Sequence, residues 1–277
     1  MMKKQFAVLL LLGIFCSQLV NAQSTKRYVV VEQFSNTFCP PCIFGTPEFK
    51  TNILDNYDQT DIFHVSYHVE TPLPTDTFYL ANPTEAADRQ ASYNTSGTPR
   101  MFMQGALQGF DADLLATSTL TPELGQTSPV KVSVDEIDNG DTRTATVTVS
   151  SLATPPSGAF ALRVMVVERH INYDPPFTGM LPELENIFRK ALNPWDATSI
   201  ALPSAGSEDT YTFTYNEDLG WNADELYVLA FVQDVSTDEI INAGSTFQVE
   251  DTPTPVIAKM KVLLQGAYDA VNDIMRT

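Results

Sequence analysis

Two cysteines three positions apart, Cys39 and Cys42, bracket two prolines in a chain that has one other cysteine, Cys16. The run Val29-Val30-Val31-Glu32-Gln33-Phe34-Ser35-Asn36-Thr37-Phe38-Cys39-Pro40-Pro41-Cys42 reads as a buried strand, a short turn and a dithiol that opens a helix. A sulfur at a helix N-terminus lies at the positive end of the helix dipole, which favours the thiolate. Attack by one thiolate and departure of its neighbour is the chemistry of thiol–disulfide exchange. As a staple such a pair is weak: closing a loop of four residues is worth about 2 kcal/mol in chain entropy, against about 4.7 for a hundred. Zinc would need two more ligands, and only His64, His68 and His170 stand beside the carboxylates, with no second cysteine pair and no paired-histidine spacing. The spacing points to redox chemistry, and no metal or other cofactor is expected.

The elements that must hold this pair alternate up to about residue 127. Residues 28–34 and 61–69 read as strands. The helix from Pro41 carries Phe49, Ile53 and Tyr57 on one face. Asn82-Pro83-Thr84-Glu85 is a helix start, with an Asn cap, Pro in the first turn and an acid at the third position, and that helix runs to about Tyr93. Residues 100–104 and 108–110 read as a hairpin around Gly105, and 112–120 as a last helix. Beyond Pro129 the period changes to two: 130–134 and 144–149 alternate around Asp138-Asn139-Gly140-Asp141, a strong hairpin signal. Strands follow over 159–168, 210–215, 226–233 and 239–247 with no helical period between them, so this half reads as an antiparallel sandwich. Asp135, Glu136, Asp138 and Asp141 lack the spacing of a calcium loop and read as that hairpin's turn. Residues 172–182, with Tyr173, Pro175, Pro176 and Phe177, read as a long irregular loop.

Residues 1–22 read as a signal peptide, with basic Lys3 and Lys4, an apolar stretch over 6–16 and a small-residue cleavage site at Val20-Asn21-Ala22. Cys16 follows Phe15 where a lipoprotein signal wants a small residue, so cleavage after Ala22 is the reading adopted. Export places the dithiol where disulfides persist. The formal net charge is −18. That excess argues against nucleic acid and against more than peripheral contact with anionic membranes, both of which need Lys and Arg. Thr252-Pro253-Thr254-Pro255 begins a linker and C-terminal tail over 251–277.

The spacing strand, Phe34, Phe38, Cys39-Pro40-Pro41-Cys42, helix resembles the thioredoxin family, with Pro47 matching its helix-kinking proline. Ser96-Gly97-Thr98-Pro99 before the strand at 100–103 matches its cis-proline loop. The resemblance implies Cys39 as nucleophile, Cys42 as resolving thiol, a cis Pro99 facing them, and Phe38 and the Thr98 backbone at the client-binding surface. It requires Cys39 to be exposed where a foreign disulfide docks. Gln33 stands where thioredoxin has a buried acid, and Glu32 should face the other side of the strand. The extra length between Cys42 and Pro99 falls over 70–80, beside the end of the second strand. His68 closes that strand as a candidate charge partner or proton relay, with packing as the alternative; His64 reads as core. The whole chain is similar to the twenty-eight-kilodalton outer-membrane protein family of Bacteroidota. That likeness rests on residues 31–42, on Ser66-Tyr67-His68, on Asn186-Ile187-Phe188-Arg189 and on Ala230-Phe231-Val232-Gln233-Asp234.

The expectation is an α/β thioredoxin-like domain over 26–127 followed by an all-β antiparallel, immunoglobulin-like sandwich over 128–250. The protein would be periplasmic, outer-membrane-associated or secreted. It would exchange disulfides with exported client proteins and be recycled by a redox partner protein. The alternative is a non-catalytic envelope or binding protein with a permanently oxidised cysteine pair.

Overall fold

A computed structural model describes residues 23–57, 61–109, 115, 117–140, 142–175, 180–195 and 199–247. The leader, the start of the helix expected over 112–120, Asp141, part of the 172–182 loop and the 251–277 tail lie outside these residues.

In the first half the strands are β1 (Thr25–Lys26), β2 (Val29–Ser35), β3 (Ile62–His68), β4 (Arg100–Met103) and β5 (Ala106–Gly109). The second half holds β6 (Thr127–Ser128), β7 (Val130–Asp138), β8 (Thr142–Ser151), β9 (Phe160–Asn172) and β10 (Glu183–Ala191). It continues with β11 (Ser199–Ile200), β12 (Ser207–Asn216), β13 (Leu226–Asp234) and β14 (Ile240–Ser245). The helices are α1 (Pro40–Phe49), continued by a π-helical segment Lys50–Leu54, then α2 (Thr77–Ala81), α3 (Pro83–Ser92) and α4 (Thr117–Leu120).

β2 and β3 run parallel from Val29↔Ile62 to Ser35↔His68, while β4 pairs antiparallel with the other edge of β2, and β5 with β4. Both parallel strands are buried along their whole length, as strands covered on two faces must be. Alternation sorts their side chains. Val29, Val31 and Ile62 pack with Phe49 of α1 and Ile53, whereas Tyr28, Val30, Phe34, Phe63, Val65 and Tyr67 pack with Ala86 of α3 and Tyr93.

From β7 onward the second half contributes to two sheets, and β9, β10, β11, β13 and β14 belong to the first half's own. That sheet runs in the order β14-β13-β9-β10-β3-β2-β4-β5, with β11 on β9, and β10 joins β3 in parallel through Ile187↔Ser66. The core beneath α3 is accordingly common to both halves, since Met165, Val167, Phe188, Tyr227, Leu229 and Phe231 belong to it. The opposite face of β9 and β13, with Leu162, Val164, Val166, Val228 and Val232, is covered by a second sheet ordered β12-β8-β7. Antiparallel pairing thus holds for the second half, but one of its two layers is an extension of the first half's sheet. The hairpin of β7 and β8 turns where expected, with Asn139 N–H donating to Thr142 O at 3.0 Å and Gly140 at φ 91°.

Two elements depart from the sequence reading. β10 is a strand where none is predicted, and its hairpin with β9 closes through Tyr173 N–H to Pro182 O at 2.8 Å within the stretch read as a loop. The insertion over 70–80 carries α2, capped by Asp76, whose carboxylate accepts from Phe78 N–H at 2.7 Å and Tyr79 N–H at 3.0 Å. Among the described residues of 112–120, only Thr117–Leu120 is helical.

Candidate functional site

The dithiol is placed by the end of β2 and the start of α1. After Ser35 the chain turns on Asn36, whose Oδ1 accepts from Phe38 N–H at 2.9 Å and whose carbonyl accepts from Cys39 N–H at 3.0 Å. Cys39 is the N-cap of α1, with Pro40 and Pro41 in the first turn, where a missing N–H leaves no helical bond unmade. Cys42 keeps its own N–H, which donates to Cys39 Sγ at 3.2 Å. Cys39 and Cys42 form a disulfide. Pro47 lies inside the helix, which passes into its π-helical continuation three residues later.

The requirement for an exposed Cys39 is not met in this oxidised state: Cys39 is 1 % and Cys42 2 % exposed. Each sulfur is turned toward the other, while Pro40 and Pro41 occupy the solvent side. The segment after β3 is bonded to the turn that precedes Cys39. Asn36 Nδ2 donates to Val69 O at 2.7 Å and to Leu73 O at 3.0 Å, and Thr37 N–H donates to Asp76 Oδ2 at 2.5 Å. The Thr98–Pro99 peptide is cis, Pro99 is buried, and Thr98 Oγ1 donates to Thr71 O at 3.0 Å. Thr71–Pro72 is a second cis peptide. The Cys39 turn and the Thr98–Pro99 loop are therefore both tied to residues 69–76. Phe38 and Thr98 are half-buried beside this arrangement.

His68 is buried, with Nδ1 2.8 Å from Asp76 Oδ2 and its ring edge-on to Phe78 at 5.1 Å. Burial alone would raise the Asp76 carboxyl, but the His68 ring and the N–H groups of Thr37 and Tyr79 outweigh it and hold the carboxyl well below the usual range. A cavity of about 20 Å³, room for one water, is bounded by Cys42, Gln33, Thr46, Ser66, His68 and Ile187. His68 and Cys42 thus border the same cavity. Asp76 was not singled out by the sequence reading, although its place before Thr77-Phe78-Tyr79 carries an N-cap signal.

Gln33 faces α1 and lies in a neutral chain. Asn186 Nδ2 lies 3.4 Å from His64 Nδ1, His64 Nε2 lies 3.2 Å from Gln33 Oε1, and Gln33 Nε2 donates to Thr46 Oγ1 at 3.2 Å. Neutral His64 with its proton on Nε2 satisfies every link. Burial pushes that ring down to about 3, which keeps it neutral. Glu32 faces the other way, as expected. It accepts from Arg89 Nε and Nη2, each at 2.7 Å, from Tyr67 OH at 3.0 Å and from Tyr93 OH. Arg89 Nη1 donates onward to Gln233 of β13 at 3.0 Å.

As for metals, His170, Glu183 and Glu185 bring ligand atoms within 4.8 Å of one another on the β9–β10 hairpin. Glu185 is already engaged by Lys50 Nζ at 3.3 Å and His170 Nδ1 at 3.2 Å. Glu185 also borders the cavity beside Cys42, and the cluster is assigned no role.

No protein-family model matches the chain, and neither does any curated protein. Among solved structures, HBP35 of Porphyromonas gingivalis matches with 20 % identity over 84 % of this chain and 81 % of that one, at a TM-score of 0.65. The two share a fold. Protein AGR_C_4864 from Agrobacterium tumefaciens matches at 17 % identity over 81 % of this chain and 97 % of that one, with a TM-score of 0.43. A domain of the outer membrane lipoprotein Omp28 from Porphyromonas gingivalis matches at 16 % identity over 45 % of this chain and 92 % of its own, with a TM-score of 0.33.

Proposed function

We propose that the chain is an exported, envelope-associated or secreted thiol–disulfide exchange protein, built on a thioredoxin-like first half and acting on other exported proteins. The observation that carries the reading is the Cys39–Cys42 disulfide at the N-cap of α1, with the Cys42 N–H directed at Cys39 Sγ. In the oxidised form a client thiolate attacks Cys39 Sγ, the Cys39–Cys42 bond breaks, and Cys42 leaves as a thiolate. A second client thiolate then attacks the client sulfur of the mixed disulfide and expels Cys39. The client is oxidised by two electrons, which remain on the reduced pair until a redox partner protein removes them. The N–H of Cys42 is then a donor to the Cys39 thiolate. His68, held by Asp76 on the Cys42 side, exchanges the proton of the departing thiol. Phe38, Thr98 and cis Pro99 supply the docking surface, which opens when residues 69–76 move off the turn. The signal-peptide pattern over 1–22 supports export. Among the described residues no helix is long and apolar enough to cross a membrane.

The burial of both sulfurs and the neutral Gln33 favour a second reading, a binding or envelope scaffold that keeps the pair oxidised throughout. Redox titration with alkylation separates them. Exchange requires a potential between about −270 and −180 mV, whereas a value below about −300 mV identifies a structural bond. Cys42→Ser should trap client proteins on Cys39, and an absence of adducts in an oxidising envelope extract argues for the scaffold. In the reduced protein, His68→Ala should shift the pH dependence of Cys39 alkylation; an unchanged profile removes His68 from the site.

A further inference from the structure

On the side of the large sheet that carries α3, coverage stops short of β9 and β11. Between them lies a half-open cleft of about 870 Å³, within the range of small-molecule sites. Phe160, Ala161, Leu192, Pro194, Trp195 and Val235 make most of it apolar. Alternation along β9 puts Arg163 on this side, with Met165 and Val167, because Leu162 and Val164 face the other sheet; Phe160 and Leu192 pack with that opposite core and border the cleft as well.

Arg163 is 7 % exposed, and its Nε and Nη1 are buried without any hydrogen-bond partner. The other buried arginines are matched to carboxylates: Arg89 to Glu32 at 2.7 Å, Arg189 to Glu168 at 2.6 Å, and Arg143 to Glu136 at 3.2 Å. Among the described residues Arg163 has no ion-pair partner: the Trp195 ring lies 5.9 Å from its guanidinium carbon, and Glu32 and Asp238 act on it only at longer range. A buried cation without a counter-ion is costly, and an orphaned donor in a native fold calls for an explanation. Burial and then the Arg89 cation push the Arg163 guanidinium down more than Glu32 raises it, a penalty that a bound anion relieves. Of the two carboxylates that line the cleft, Glu85 already accepts from Ala191 N–H at 2.8 Å and from Asn82, and Asp88 is exposed. Those two acids disfavour a dianion such as phosphate, and the apolar walls favour a ligand with a hydrocarbon body.

We propose that this cleft binds a small organic carboxylate, its charge held by the Arg163 guanidinium and its apolar body lying against Trp195, Phe160 and Leu192. The site is on the opposite side of the sheet from α1 and does not depend on the disulfide. Calorimetry on the full chain tests it, with 3-phenylpropionate as probe, 3-phenylpropanamide as the neutral isostere and inorganic phosphate as the bare anion. The acid should bind saturably, and about tenfold or more tighter than the amide or phosphate, a difference typical of one charge-assisted contact. Arg163→Met should lose that preference while keeping or raising the melting temperature, since it removes a charge that has no partner. Leu192→Trp, which fills the cleft and leaves Arg163 in place, should abolish binding. Equal affinity for acid and amide, equal affinity for phosphate, no saturation with any probe, or unchanged binding by either variant overturns the proposal. So does failure of Arg163→Met to fold, which would reveal a structural counter-ion.

Discussion

Glu32 and Gln33 are neighbours on β2, yet the two faces they serve are held by different physics. Beneath α1 the chain Asn186, His64, Gln33 and Thr46 carries no charge, and beneath α3 Glu32 and Arg89 form an ion pair closed by two tyrosines and Gln233. Both assemblies are buried, and both reach across from the first half to the second, through Asn186 and Gln233 respectively. The difference is one of stakes. A neutral link that is cut loses one hydrogen bond, whereas a severed buried ion pair leaves an uncompensated charge. The chain beneath α1 thus carries no charge of its own, and the Glu32–Arg89 pair lies one pleat away from it, on the other face of β2.

That contrast is easiest to break at Glu32. Glu32→Gln leaves Arg89 buried and unpaired, and urea unfolding should show a loss of about 3–5 kcal/mol with the disulfide's potential unchanged. Asp76, which binds His68 on the dithiol side, comes next. Asp76→Asn weakens the bonds to His68, Thr37 and the α2 cap, and should cost about 2 kcal/mol and loosen the tie between residues 69–76 and the Cys39 turn. Faster reduction of the disulfide by a fixed concentration of dithiothreitol is the measurement. The neutral chain should reveal itself through pH. Because His64 is held at about 3 when folded against 6.5 in the unfolded chain, the unfolded state takes up the proton first. Stability is therefore full above pH 6.5 and falls as pH drops toward 3, by up to about 1.4 kcal/mol per unit. His64→Gln should flatten that stretch of the melting-temperature profile. The smallest effect sharpens the comparison most: Thr46→Val removes one neutral bond and should cost about 1 kcal/mol.

The parts of the fold that the sequence announces are those with local signals. Cys39-Pro40-Pro41-Cys42, the Asn82 cap, the Asn139-Gly140 turn and the cis Thr98–Pro99 loop each owe their geometry to residues within a turn of one another. β10 lacks such a signal. Asn186 takes a left-handed φ of 52°, the register slips between Phe188 and Lys190, and Arg189 is buried against Glu168, so neither alternation nor apolarity survives along it. The joint between the halves went unread for the same reason, since it is made by that strand. At the site, the dithiol and His68 are visible in sequence, but the burial of Cys39 is not. Nor are the bonds that tie its turn to residues 69–76, from Asn36 to Val69 and Leu73 and from Thr37 to Asp76, which no spacing reports.

The parallel joint at Ile187↔Ser66 has a practical consequence for anyone who trims this protein. A recombinant fragment ending near residue 127 would bare the β3 edge over Ile62–His68, a row of main-chain donors and acceptors flanked by Phe63, Val65 and Tyr67. Such an edge recruits strands from other molecules. The fragment's solubility would then be governed by self-association, whatever its sulfur chemistry, and activity assays on it would report on aggregates.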